Sequence, residues 1–111
     1  MDFLPVFLNL KNKPCLVVGG GDVAVRKASL LLQAGATVRI VSPQLNDSFE
    51  LPPGSEHIAE RFQSSHLNGM TLAIAATDNA EVNEQVSREA KQRNIPVNVV
   101  DNPDHCTFII P

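Results

Sequence analysis

With 111 residues, 43% of them hydrophobic, the chain is long enough for one compact core and too short for two ordinary domains. A formal charge of −3, no Lys/Arg cluster and neither Trp nor Tyr leave no electrostatic or stacking footprint for nucleic acid. No apolar run approaches the roughly 20 residues that cross a bilayer, and MDFLPVFLNLKNK lacks the basic start and cleavage site of a signal peptide, so a cytoplasmic protein with no membrane partner is expected.

The opening FLPVFLNL is expected to pack against a sheet edge. LVVG at 16 to 19 is a short apolar run of the kind that forms a strand covered on both faces. After it Ala24, Ala28, Leu31 and Gly35 recur at helical spacing, and Gly35 is a good helix terminator. VRIVS at 38 to 42 reads as the second strand, NDSFELPPGS at 46 to 55 as a surface loop, and SEHIAERF at 55 to 62 as one short edge strand. LAIAAT at 72 to 77 is the next strand, and Val82, Val86 and Ala90 mark a second helix running to about Arg93. Asp78 with Glu81 three residues on resembles a capping box for that helix. VNVVD at 97 to 101 and TFII at 107 to 110 complete the strands. Strand, helix, strand at both ends of the chain predicts an α/β fold: a Rossmann-like, doubly wound parallel sheet with helices on both faces, spanning residues 1–111 as one dinucleotide-binding domain.

The corner between the first strand and helix carries the chemistry. Gly19, Gly20, Gly21, Asp22, Val23 and Ala24 satisfy G-x-G-x-x-A in the context that a dinucleotide fingerprint requires. The first glycine allows the sharp turn, the second lets backbone approach a pyrophosphate, and alanine in the third slot keeps helix and sheet close. The helix N-terminus would then face the phosphates. The bland alternative is a steric corner with no ligand. The acidic residue expected at the end of the second strand is missing, and Ser42, Pro43 and Gln44 stand there instead. Ser42 and Gln44 can bond a ribose hydroxyl, and no arginine follows the strand directly, which favours NAD over NADP; Arg39, within the strand, is the residue able to reverse that preference.

Three blocks, VVGGGDVAVRKASLLLQAGATVRIVSP, LAIAATDNAEVN and VNVVDNPDHCTFIIP, give the chain a resemblance to the N-terminal part of the siroheme synthase family of precorrin-2 dehydrogenases and sirohydrochlorin ferrochelatases. The resemblance implies NAD-dependent oxidation of precorrin-2 to sirohydrochlorin, with ferrous iron inserted by many members. It implies Asp101 as the catalytic residue, and NAD contacts at Asp22, Val23, Pro43 and Gln44. Family members continue past the FIIP block into a dimerisation region, and many carry a methyltransferase domain. On that pattern these residues are expected to be the cofactor domain of a longer, homodimeric protein, or else a reduced member of the family.

Ligands of open parallel sheets sit beyond the carboxyl ends of the strands. Gly19, Ser42, Thr77 and Asp101 are therefore expected on one rim, with Thr77 and Asp78 towards the nicotinamide. Asp78 as a plain helix cap, and Asp101 as a cap of the turn before Pro103, are the structural alternatives. No metal site is expected. His105 and Cys106 are neighbours that point to opposite faces of an extended segment, Cys15 and Cys106 lack ligand spacing, and His57 and His66 read as solvated. The rival function is a module that senses NAD(H) without catalysis; the aspartate closing the VVD block favours the enzyme.

Overall fold

Five strands, Pro14–Val18 (β1), Thr37–Val41 (β2), Ser55–Ile58 (β3), Leu72–Ala75 (β4) and Val97–Val99 (β5), form one parallel sheet in the order β3-β2-β1-β4-β5. Helix Asp22–Gln33 (α1) joins β1 to β2, and helix Ala80–Gln92 (α2) joins β4 to β5. This computed structural model describes residues 1–47, 49–51 and 53–111; Ser48 and Pro52, within the expected surface loop, lie outside them.

Alternation along the strands splits the core in two. Cys15 and Val17 face Ala24, Ala28 and Leu31 of α1, while Leu16 and Val18 face Val86 and Ala90 of α2. One helix thus covers each face, and because both faces are buried the strands show runs of apolar residues instead of apolar/polar alternation. The chain leaves β1 outward through β2 and β3, then returns to the other side of β1 for β4 and β5. That reversal, between β1 and β4, is the switch point at which such sheets bind ligands.

The helices end as their sequences dictate. Gly35, at φ +87, lies past the last turn of α1, where the Ala34 N–H reaches back to Leu30 and Leu31. Asn94 takes the left-handed place after α2 at φ 56, and the Ile95 N–H returns to Ala90. At the start of α2 the cap is Asn79 and not the expected Asp78: its side-chain oxygen accepts from the Glu81 and Val82 N–H groups at 2.9 and 3.2 Å. Asn79→Ala should accordingly cost about 1 kcal/mol, while Asp78→Ala leaves stability near that of the parent; urea denaturation of the two variants checks this.

Two other expectations are corrected. Residues 107–110 form no strand: the Thr107 N–H does reach the Val97 carbonyl at 2.8 Å, but side chains take the outward N–H groups of β5 that a continued backbone ladder would use. The Thr107 hydroxyl accepts from the Val97 N–H at 2.8 Å, and Cys106 Sγ accepts from the Val99 N–H at 3.1 Å and donates to the Val99 carbonyl at 3.3 Å. The N-terminal segment does not cover a sheet edge either. It leads straight into β1, the central strand, and so emerges at the amino end of the sheet beside the α1–β2 turn, where the Asn12 N–H bonds Gly35. Leu10 is buried, whereas Leu4, Val6, Phe7 and Leu8 are exposed.

Candidate functional site

A cleft of about 1160 Å³ opens beyond the carboxyl ends of the strands. Gly19, Ser42, Thr77 and Asp101, each just past a different strand, all line it, so the residues expected on one rim do share it. Gly20, Gly21, Asp22, Val23, Pro43, Gln44 and Asp78 line it as well. Ala24 does not: it is 1% exposed in the core beneath α1, and its contribution is the close approach of helix to sheet.

The three glycines do three different jobs. Gly19 has φ +132, and a Cβ there would stand 2.5 Å from the Ala76 carbonyl oxygen. At Gly20 a Cβ would fall 1.9 Å from the Gln44 carbonyl oxygen, because the segment after β2 folds down over the turn. That segment is tied in place by the Asn46 N–H to the Gly20 carbonyl at 2.7 Å, by the Asn46 amide to the Asp22 carboxylate, and by the Ser42 hydroxyl to the Gln44 carbonyl. Gly21 has an ordinary backbone, φ −88, and a Cβ on it would meet nothing within 4 Å. The protein itself gives no reason for glycine at 21; the open space above it is the cradle that a Cβ would fill. Gly21 also caps α1 without a side chain, leaving the first N–H groups of the helix directed at the cleft for an oxyanion.

On the β4 side the Thr77 hydroxyl is committed. It donates to Asn83 Oδ1 at 2.6 Å and accepts from the Asn79 N–H at 3.1 Å, which makes it a strut of the β4–α2 turn. Asp101 is held at φ +60 in the turn closed by the Asn102 N–H to the Val99 carbonyl. Cys106 Sγ also lies within 3.3 Å of the Asn102 carbonyl, bracing this turn from behind. The Asp101 carboxylate is exposed on the cleft wall and accepts no hydrogen bond among the described residues, so it does not cap the turn.

The remaining candidates fall elsewhere. Arg39 is engaged: its Nε meets Glu56 at 2.8 Å and its Nη1 donates to the His66 carbonyl at 3.2 Å, beside a small cavity at the amino end of the sheet. His66 is buried, not solvated, with Nδ1 accepting from the Gln63 N–H at 2.9 Å and Nε2 3.2 Å from Glu60. His57 lies on β3, with Nε2 bonding the Ser42 carbonyl at 2.9 Å. Among the described residues no group of three or more His, Cys, Asp or Glu side chains is gathered to hold a metal ion. Burial pushes the Cys15 thiol up to about 11, against a smaller lowering by a hydrogen bond with the Leu72 backbone, and keeps it an inert core thiol.

Sequence reasoning missed Arg61, Phe62 and Gln85, which also line the cleft. The signal for Arg61 was present but lacked a strand end to place it. SEHIAERF is expected to supply one short edge strand with no end assigned, and β3 ends at Ile58, which sets Arg61 and Phe62 on the carboxyl rim like the residues after the other strands.

A family profile described as "Putative NAD(P)-binding" matches residues 6–111. The chain is 55% identical over 114 residues to siroheme synthase of Photobacterium profundum and 56% identical over 114 residues to that of Methylobacillus flagellatus, in each case across 100% of this chain and 24% of the relative. It therefore spans about a quarter of the length of these relatives. Among solved structures, SirC, precorrin-2 dehydrogenase, superposes with a TM-score of 0.81 at 25% identity, over 98% of this chain and 55% of that one.

Proposed function

This chain belongs to the NAD(P)-binding family, and from that premise we propose that it is the cofactor domain of a precorrin-2 dehydrogenase that forms sirohydrochlorin with NAD. The observation that carries this reading is the placing of Asp101. An uncommitted carboxylate stands on the same cleft as the glycine turn, held out by a left-handed backbone of the kind that aspartate tolerates.

The residues present fit a dinucleotide. Gly21 leaves the space for a pyrophosphate, the first turn of α1 offers N–H donors, and Ser42 to Gln44 stand at the end of β2 where a ribose is read. When bound, the nicotinamide supplies a hydride acceptor. Dehydrogenation removes a hydride and a proton from the macrocycle, and the proton passes to the Asp101 carboxylate. Gly19 and Gly20 hold the turn in shape, and Thr77 fixes the β4–α2 connection beside it.

The same reading takes ferrous iron as a further substrate, with Asp101 accepting the pyrrole protons displaced as the metal enters, and sets the domain in a longer, homodimeric, cytoplasmic protein. Similarity to siroheme synthases supports it, and among the described residues no helix is long and apolar enough to cross a membrane.

The experiment has two arms. Calorimetric titration should show NAD binding to this chain, and the dehydrogenase carrying it should convert precorrin-2 to sirohydrochlorin with one NADH formed per macrocycle. NAD binding with no oxidation would leave a sensing module instead.

A further inference from the structure

Arg61 is the one lysine or arginine on the cleft wall among the described residues, and it makes no hydrogen bond or ion pair there. The other charged side chains of that wall are Asp22, Asp78 and Asp101. A free guanidinium facing a cleft is an oxyanion receptor in waiting.

Its position identifies the oxyanion. β3 lies beside β2 with Ile58 opposite Val41, and the Ser42 N–H donates to the Ile58 carbonyl at 3.2 Å. The chain then turns, with the Glu60 N–H on the Ile58 carbonyl, so that Arg61 enters the cleft from the strand next to Ser42, Pro43 and Gln44. Those three residues occupy the place where a dinucleotide fold reads the adenosine ribose: a carboxylate there holds the 2′-hydroxyl and repels a phosphate, while a nearby arginine accepts one. Here the carboxylate is missing and the arginine is present. Arg39 cannot take this part, since it is bound to Glu56 towards the other end of the sheet.

We infer that Arg61 receives the 2′-phosphate of NADP, so that this cleft binds NADP as well as NAD. The inference rests on the dinucleotide reading of the cleft, and the test separates the two.

The chain is titrated calorimetrically with NAD and with NADP, as the parent and as Arg61→Ala, Arg61→Gln and Arg61→Lys; circular dichroism confirms that each variant is folded, as expected for an exposed side chain. In the parent, NADP should bind within about tenfold of NAD. Loss of a charge-assisted contact in Arg61→Ala and Arg61→Gln should weaken NADP by about 10- to 100-fold while NAD changes by less than about threefold, and Arg61→Lys should keep part of the NADP affinity. A parent that binds NAD but not NADP overturns the inference and leaves the cofactor reading intact. Equal weakening of both nucleotides in Arg61→Ala also overturns it, since the contact would then lie on a group that both share. Failure of the folded parent to bind either nucleotide overturns both.

Discussion

Asp101→Asn is expected to slow the oxidation of precorrin-2 by about 10²- to 10⁴-fold, the usual cost of losing a general base. Asparagine is the right probe because it separates chemistry from conformation. Asp101 sits at φ +60, where asparagine and aspartate are among the few side chains tolerated, so the turn keeps its shape. Alanine at the same position would mix the loss of a base with added backbone strain. The carboxylate accepts no hydrogen bond among the described residues, so the melting temperature should scarcely move, and the affinity for NAD should hold because the glycine turn lies elsewhere on the cleft. Initial rates of NADH formation, with thermal melts of both proteins, decide the matter. A normal rate combined with a lowered melting temperature would make Asp101 a structural residue and end its assignment as the base.

Gly21→Leu should abolish measurable NAD binding and leave the domain folded. The backbone at 21 has an ordinary φ, a Cβ has open space, and the penalty for replacing glycine by leucine at a helix cap is about 1 kcal/mol. What a leucine does fill is the space in front of the first turn of α1, where a pyrophosphate would approach. Gly20→Ala is the contrasting control. Its Cβ would stand 1.9 Å from the Gln44 carbonyl oxygen, so the segment after β2 has to move, and overpacking of this kind costs about 1–3 kcal/mol. One substitution should remove binding without unfolding, the other should lower stability itself. Calorimetry and urea denaturation of the two variants distinguish them, and a folded Gly21→Leu chain with undiminished affinity for NAD would show that the turn is only a corner.

The sheet was legible because burial on both faces writes each strand as a short apolar block, and the glycine turn because its letters fall between a strand and a helix. What failed did so for local reasons. Asp78 and Asn79 are adjacent, both can cap, and one residue of register at the end of β4 decides between them. Thr107 and Cys106 have strand-compatible sequence around them, yet after one backbone bond from Thr107 to Val97 it is their side chains that take the outward N–H groups of β5. His66 looks polar and loop-bound, but Gln63 and Glu60 satisfy both ring nitrogens, and that pairing is what allows burial. The rim after β1, β2, β4 and β5 follows from the strand ends alone, while Arg61 needed the true end of β3.

The thiol and hydroxyl that close the outer side of β5 carry one more implication. An uncovered sheet margin is a template on which a second molecule can extend the hydrogen-bonded ladder, the first step towards cross-β growth. Cys106 and Thr107 withdraw the Val97 and Val99 N–H groups from any such docking. A three-residue strand, apolar but for Asn98, is thereby kept out of intermolecular pairing, and the chain gains resistance to aggregation on that flank without spending a charged residue in the strand.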